Sequence, residues 1–193
     1  MIFSDIEKIL KTKTVGIAGC GGIGSNCAVS LARVGVGALV IADFDKVVPA
    51  NLHSQFFFRQ QIGLPKVQAL KENLKLINPD IKIYPFELEL CQNDMVEVFS
   101  QCDVIVEALD KASVKYMMLE SIQNDLPGKP LVMGSGMAGW GNSNALKVIC
   151  DKTLTVCGDG ESAVSENLPL LAPRVGIVAN MQANAVLEIL LHS

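Results

Sequence analysis

The feature that most constrains the fold is a glycine-rich segment, GCGGIGS, at residues 19–25. It follows an apolar run of strand length, Val15–Ala18, and precedes a helical pattern over residues 26–34. Between a strand and a helix, such a segment predicts a phosphate-binding loop. Glycines let the backbone approach an anion, and the helix N-terminus offers free N–H groups and a positive dipole end. A tight strand–helix turn that binds nothing is the alternative, and the loop alone leaves both open.

An acidic residue at the end of the second predicted strand supports nucleotide binding. Asp43 follows the apolar run Leu39–Ala42 and lies 19 residues beyond Gly24. A carboxylate at this spacing can accept hydrogen bonds from ribose hydroxyls. A helix or turn cap is the other role open to Asp43. Strand, loop, helix and acid together favour a nucleotide site.

Alternating apolar and helical patterns predict an α/β fold. Nearly continuous apolar runs separated by helices indicate a Rossmann-like, doubly wound, mostly parallel sheet with helices on both faces, and some antiparallel strands in the C-terminal part. We expect residues 1–193 to form a single domain. The predicted strands are Val15–Ala18, Leu39–Ala42, Ile81–Phe86, Val104–Ala108, Leu131–Met133, Ala145–Cys150 and Leu154–Val156, and the predicted helices cover residues 26–34, 65–77, 112–124 and 173–191.

Composition excludes several classes of protein. Half the residues are apolar and 19% are charged, the opposite of a disordered chain. The net charge of −4 argues against nucleic-acid partners and anionic membrane surfaces. Arginine is scarce, with only Arg33, Arg59 and Arg174 in the chain.

The cysteine pattern argues against zinc. The six cysteines form no CxxC pair, and the two histidines are far apart in sequence. The N-terminus lacks the apolar core of a signal peptide, and the apolar stretch 175–191 is interrupted by polar residues, so we expect no membrane span. A cytoplasmic protein with buried free thiols is predicted.

Residues beyond Asp43 bear on the choice between ATP and NAD. No second glycine fingerprint follows. Asn51, and Lys66 at the start of the 65–77 helix, suit a triphosphate better than the pyrophosphate bridge of NAD, because a triphosphate carries more charge to neutralise. A solvated surface lysine is the alternative for Lys66. Asp110 follows the fourth strand, where a carboxylate could hold Mg²⁺ or cap the 112–124 helix.

The ordered motifs GxGGxGS, DxDxVxxxNLxxQ and GxPK, with an aspartate after the fourth strand, resemble those of the ubiquitin-activating (E1-like) superfamily, in its ThiF/MoeB/HesA branch. The second half resembles the short ThiF type, the sulfur carrier protein adenylyltransferases. That part of the resemblance is carried by the segments 136–144, 157–159, 172–175 and 182–184.

The resemblance implies ATP- and Mg²⁺-dependent adenylation of the C-terminal glycine carboxylate of a ubiquitin-like, ThiS-like sulfur carrier, with release of pyrophosphate. Thiamine biosynthesis is the expected pathway, with a molybdopterin route left open, and a homodimer is expected. The implied nucleotide-binding residues are Gly19, Gly21, Gly22, Gly24, Ser25, Asp43, Asp45, Asn51, Lys66 and Leu109. The implied catalytic residues are Asn51, Gln55, Lys66 and Asp110, of which Asp110 would bind Mg²⁺, and we add Arg59 as a catalytic residue outside the motif.

Two departures from the family pattern matter. Ser54 stands where the family has a phosphate-binding arginine, and we expect Arg59 to substitute for it. The arginine that longer relatives contribute from an N-terminal helix has no counterpart before Arg33. A nucleotide-binding or carrier-binding scaffold without catalysis is therefore the alternative function, and a small NAD-binding protein is a third. Cys20 and Cys157 could be nucleophiles, but buried inert thiols are favoured for both.

Overall fold

The computed structural model describes residues 1–192, within which the chain forms a seven-stranded sheet. The strands are Thr14–Ala18 (β1), Ala38–Ala42 (β2), Lys82–Phe86 (β3), Val104–Glu107 (β4), Leu131–Gly134 (β5), Lys147–Asp151 (β6) and Leu154–Gly158 (β7). Their spatial order is β3-β2-β1-β4-β5-β7-β6. Every neighbouring pair is parallel except β6 and β7, which are antiparallel. The predicted mostly parallel sheet with an antiparallel C-terminal part is confirmed.

The helices of the described residues include all four that the sequence predicted. They are Phe3–Leu10 (α1), Gly22–Arg33 (α2), Lys66–Ile77 (α3), Gln92–Phe99 (α4), Ala112–Asp125 (α5) and Ala172–His192 (α6), with short 3-10 helices at Pro49–His53, Arg59–Gln61 and Ser143–Ala145. Helices α1 and α4 were not predicted from the sequence. Helix α2 begins at Gly22 rather than at Asn26, because the amide of Ser25 already donates to the carbonyl of Gly21 within the glycine-rich loop.

Helices cover both faces of the sheet. Along β1, Val15 and Ile17 belong to a buried cluster shared with α2, α3 and α6, whereas Ala18 belongs to a second cluster shared with α4 and α5. Every residue of β2 and β4 is buried, as expected for parallel strands covered on both sides. This double burial explains why those strands read as continuous apolar runs.

The strand order reverses between β1 and β4. The chain runs outward from β1 to β2 and β3, then returns to β4 on the other side of β1. Connections leaving the carboxyl ends of β1 and β4 therefore diverge, and ligands of open α/β sheets bind in the crevice between them. The amide of Gly19 donates to the carbonyl of Ala42 (2.8 Å) and that of Ala108 to the carbonyl of Ala18 (2.8 Å), which fixes both loops at this point.

Among the described helices, only α6 is long and apolar enough to cross a membrane. Of its most apolar stretch of 18 residues, 44% is buried inside the protein. No apolar run of that length was expected from the sequence, because polar residues interrupt positions 175–191. In this fold the helix packs on α2 and the sheet, with Val178, Ala179 and Val186 in the core. Core helices of soluble proteins pass the same test of length.

The cysteines are only partly buried. Four are buried free thiols, as predicted: Cys20, Cys27, Cys102 and Cys157. Cys91 and Cys150 are exposed, so the prediction was wrong for them. Cys91 immediately precedes α4 and Cys150 lies on the edge strand β6, which nothing covers within the described chain.

Candidate nucleotide-binding site

A cleft of about 890 Å³ opens at the carboxyl ends of the central strands. Its walls are the glycine-rich loop, the β2–α3 connection, the β4–α5 turn, and loops that follow β3, β5 and β7. Of the residues that the sequence predicted for the site, the cleft is lined by Gly19, Gly21, Gly22, Asp43, Asp45, Gln55, Lys66, Leu109 and Asp110. The fold thus brings nine predicted residues, drawn from positions 19 to 110, to one place.

The glycine-rich loop offers unused hydrogen-bond donors to this cleft. Within residues 1–192, no oxygen accepts a hydrogen bond from the amides of Gly21, Gly22 or Ile23, the first groups of α2. All three residues line the cleft. Free amides at a helix N-terminus carry partial positive charge and bind anions. The loop can therefore hold phosphate.

Two glycines in the loop are required by shape. Gly19 has φ +93°, in the left-handed region that glycine tolerates. Gly24 does not line the cleft, because it packs against the loop: a Cβ there would lie 1.8 Å from the carbonyl oxygen of Gly19. Gly24 thus acts by letting α2 approach β1, the packing role of the last glycine in such a fingerprint.

Asp43 connects the loop to the end of β2. Its carboxylate accepts hydrogen bonds from the amides of Cys20 (2.7 Å) and Asp45 (2.8 Å). Burial raises the pKa of Asp43 above its ordinary value, while Lys66 and the two amides act in the opposite direction. Each carboxylate oxygen has a second lone pair available to a ligand.

Lys66 is held in the cleft by an acidic partner. Its Nζ lies 2.8 Å from Oδ2 of Asp45, and its side chain is 7% exposed against 50% for Asp45. The amide of Lys66 also donates to the carbonyl of Asp45 (2.9 Å). The alternative of a solvated surface lysine is therefore wrong. A largely buried ammonium beside the free amides places two kinds of positive charge in the cleft.

Two further polar groups in the cleft lack partners. Asp110 is exposed and no described residue bonds to its carboxylate. Its alternative role as the helix cap is wrong, because α5 begins after Lys111 and no side chain caps it. The Oε1 atom of Gln55 is buried without a donor. Both groups are free to bind a ligand.

Ser25 and Asn51, predicted to bind nucleotide, lie outside the cleft lining. The Ser25 hydroxyl donates to the carbonyl of Gly21 (2.6 Å) and accepts from the amide of Phe56 (3.0 Å), so it ties the loop to the β2–α3 connection. The Oδ1 atom of Asn51 accepts from the amide of Val48 (2.9 Å) and closes the turn of the first 3-10 helix.

Arg59 also lies outside the cleft and is exposed to solvent. It begins a 3-10 helix whose orientation is fixed by Gln61, which bonds to Asn73 (2.8 Å) and to the carbonyl of Ala69 (3.2 Å). Burial of Gln61 leaves the arginine on the outside. The expected substitution of Arg59 for the arginine replaced by Ser54 is therefore not supported by this geometry.

Sequence reasoning missed one ion pair, formed by Lys115 in the cleft lining and Glu107 buried behind it. Glu107, at the end of β4, is 0% exposed, and Nζ of Lys115 lies 2.6 Å from its Oε2. Burial raises the pKa of Glu107, and Lys115 and the amide of Leu109 act against that rise. A charged residue in an otherwise apolar central strand is rarely buried without a partner, and this was the available signal.

The second half of the chain completes the cleft with segments 134–137 and 162–164. Arg174, at the start of α6, ties these loops together: its guanidinium donates to Asp159 (2.6 Å) and to the carbonyl of Gly141 (2.5 Å). Burial alone would raise the pKa of Asp159, but amide hydrogen bonds from Ser162 and Glu161, and Arg174, hold it well below its ordinary value.

The two cysteines considered as nucleophiles are fully buried. Burial raises the pKa of Cys20 well above its ordinary value and that of Cys157 to about 11. A thiol in this state is not a nucleophile. For Cys20, burial outweighs the helix N-terminus beside it.

Comparison with known proteins assigns this arrangement to a family. The ThiF family model matches residues 2–193. The chain is 29% identical over 198 residues to "Adenylyltransferase and sulfurtransferase MOCS3" of Dictyostelium discoideum, covering 95% of this chain and 44% of that protein. It is 35% identical over 132 residues to "Probable adenylyltransferase/sulfurtransferase MoeZ" of Mycobacterium tuberculosis, covering 68% of this chain and 33% of that protein.

A solved structure shares the fold. The AMP complex of E. coli tRNA N6-threonylcarbamoyladenosine dehydratase, TcdA, superposes with a TM-score of 0.87 at 18% identity, over 97% of this chain and 90% of that one. The chain spans less than half the length of the curated relatives named above. The family model nevertheless covers almost all of it. The chain therefore belongs to the ThiF family.

Proposed function

We propose that this chain activates the C-terminal carboxylate of a ubiquitin-like sulfur carrier by transferring AMP from ATP. The observation that carries the proposal is the cleft itself, where free amides of the glycine-rich loop, the largely buried Lys66 and the unpaired carboxylate of Asp110 face one volume. Relatives named adenylyltransferases, and a structural neighbour that holds AMP, support it.

The residues present fit a nucleoside triphosphate. The amides of Gly21, Gly22 and Ile23 would bind phosphate oxygens, and Lys66 would neutralise charge there. Asp43 would accept a hydrogen bond from the ribose through its remaining lone pairs. A purine would find apolar lining residues in the same cleft, among them Phe44.

Asp110 fits Mg²⁺. The ion prefers oxygen ligands and is held at nucleotide sites by one or two carboxylates together with phosphates and water. An exposed carboxylate without a protein partner, at the edge of the cleft, suits that arrangement. When bound, Mg²⁺ would neutralise charge on the phosphate oxygens.

The proposed reaction needs no covalent residue on the enzyme. An oxygen of the carrier's terminal carboxylate attacks the α-phosphorus in line, a P–O bond to the β-phosphate breaks, and pyrophosphate leaves. What the chain supplies is orientation and a fixed positive environment. Lys66 has three donors, so it can bond to phosphate while it keeps its contact with Asp45.

The finer parts of the proposal concern partner and setting. We propose a ThiS-like carrier of thiamine biosynthesis, action as a homodimer in the cytoplasm, and residues 1–193 as one E1-like ATP-binding unit. A tRNA substrate, as in the name of the structural neighbour, is disfavoured by the net charge of −4, since nucleic-acid binders neutralise phosphates with a basic face.

A scaffold that binds nucleotide or carrier without chemistry is the second candidate. One observation favours it: the cations that line the cleft within residues 1–192 are lysines, Lys66, Lys111 and Lys115, with no arginine among them. Loss of one preorganised phosphate ligand costs on the order of 10²–10³ in rate, which would leave slow but measurable turnover.

Carrier-dependent ATP–pyrophosphate exchange distinguishes the two candidates. The purified chain is mixed with ATP, Mg²⁺, labelled pyrophosphate and each of several ubiquitin-like sulfur carriers, with carriers lacking the terminal glycine as controls. We expect exchange with at least one intact carrier and none with truncated ones.

Lys66→Met should reduce the rate of exchange by at least about 10²-fold, whereas the same substitution of the exposed Lys82 should leave it unchanged. ATP binding without exchange for any carrier would establish the scaffold, and exchange that requires tRNA would redirect the assignment.

A further inference from the structure

We infer that Lys115 is a positioning residue: with Glu107 it braces the β4–α5 turn and so sets the place of Asp110 in the cleft. The inference rests on the proposed function, because it assigns the role of this pair to the site that holds Mg²⁺ and ATP. It adds to the site two residues that the motifs do not include.

The brace has several hydrogen bonds on one short turn. Nζ of Lys115 bonds to both oxygens of Glu107 (2.8 and 2.6 Å) and to the carbonyl of Leu109 (3.3 Å). Oε1 of Glu107 also accepts from the amide of Leu109 (2.7 Å). The amide and the carbonyl of Leu109, immediately before Asp110, are therefore fixed by the same ion pair.

The anchor of this brace is rigid. Glu107 is the last residue of β4, in register with Ala18 at the end of β1, and its side chain is fully buried. Its carbonyl accepts from Nε2 of Gln182 (3.0 Å), which ties the strand end to α6. We therefore expect loss of Lys115 to displace the turn rather than the strand.

Lys115 is already occupied, which favours positioning over direct phosphate contact. Its three donors are used by Glu107 and Leu109, and the carboxylate neutralises its charge. Asp110, in contrast, has no partner and is held only through its backbone. The location of that carboxylate depends on the turn.

The test measures ATP affinity with and without Mg²⁺ in single and double variants. We expect Asp110→Asn and Lys115→Met each to reduce the Mg²⁺-dependent gain in ATP affinity by about tenfold or more. Lys115→Met should have no further effect in the Asp110→Asn background. Lys115→Arg should retain most of the gain. Lys129→Met is the matched control, since Lys129 also bonds to two backbone carbonyls, those of Ser100 and Cys102, but lies outside the cleft.

A second readout needs no ligand. Hydrogen exchange of the Leu109 amide should be slow in the wild-type chain and in Lys115→Arg, and at least about tenfold faster in Lys115→Met and Glu107→Gln. Unchanged protection in Lys115→Met would overturn the brace. Loss of ATP affinity that is equal with and without Mg²⁺, and additive to Asp110→Asn, would show direct phosphate contact instead. If the wild-type chain binds no ATP, the proposed function fails while hydrogen exchange still decides the role of Lys115.

Discussion

Replacing Gly24 by alanine tests the claim that helix packing, rather than ligand contact, requires this glycine. An added Cβ would lie 1.8 Å from the carbonyl oxygen of Gly19, and Cβ atoms in proteins essentially never approach a non-bonded heavy atom closer than 3.0 Å. The helix or the loop must therefore move by about 1.2 Å, the difference between these two distances. Because the opposing atom is backbone, no side-chain rotation relieves the clash.

The cost follows from two opposing terms. Overpacking of this kind costs up to about 3 kcal/mol, while alanine in a helix gains about 0.5–1 kcal/mol over glycine. We therefore expect Gly24→Ala to lower the free energy of unfolding by about 2 kcal/mol. In a chain of this length that lowers the melting temperature by about 4–8 °C.

The chain offers a matched control in Gly176 of α6, where an added Cβ meets no atom within 4 Å. Gly176→Ala should raise the free energy of unfolding by about 0.5–1 kcal/mol, because alanine has the higher helix propensity and no clash opposes that gain. Both variants are compared with the wild-type chain by thermal and urea unfolding, followed by circular dichroism. A Gly24→Ala variant as stable as Gly176→Ala would refute the packing argument.

Three further predictions concern ATP affinity, pyrophosphate exchange and the pH dependence of stability. Gly21→Ala should change the free energy of unfolding by no more than about 0.5 kcal/mol, because the added Cβ enters open cleft space with the nearest side-chain atom 3.9 Å away. The same Cβ occupies ligand space, so ATP binding should weaken about tenfold or more. Unchanged ATP affinity in calorimetry would contradict this. Arg59→Ala should change the rate of pyrophosphate exchange by less than about twofold, since the side chain is exposed to solvent outside the cleft. Ser54→Arg should raise that rate. A tenfold loss of exchange in Arg59→Ala would restore Arg59 as a phosphate ligand. Asp159 has a lowered pKa, so its contribution is present above its ordinary pKa and is lost as pH falls through the folded value. The wild-type chain should therefore lose stability more steeply than Asp159→Asn between about pH 5 and pH 2. Parallel curves would show that the charge of Asp159, with its amide hydrogen bonds and its pair with Arg174, contributes nothing to stability.

Local sequence predicted most of the fold. A parallel strand covered on both faces must be apolar throughout, so β1, β2, β4 and β5 could be read directly, and the periodicity of Lys66–Ile77 with Pro79 beyond it gave α3 within one residue. Helices α1 and α4 were missed. Each has only eight residues, and α1 has a single fully buried side chain, so neither carries a long periodic signal.

The candidate site was predicted where residue type and spacing specify chemistry. Few other residue types could replace the glycines of the loop or the aspartate at the end of β2 in these roles. Gly19, Gly21, Gly22 and Asp43 all line the cleft. Asn51 and Arg59 were assigned from the motif or from proximity in sequence. Neither residue lines the cleft: the Asn51 side chain is used within its own 3-10 helix, and Arg59 is exposed on a 3-10 helix anchored by Gln61.

The sequence by itself determined the mostly parallel α/β fold, four of the six α-helices of the described residues, the glycine-rich segment between β1 and α2, and the family. These depend on short-range patterns and on residues that cannot be exchanged. Only the tertiary structure decided which polar groups are free and which are already bonded. The glycine-rich loop keeps its amides free, and Gly24 serves packing. Ser25 is used within the fold, and Lys115 pairs with a buried carboxylate eight residues before it. Hydrogen-bond saturation is a property of three-dimensional neighbours, so no spacing along the chain could reveal it.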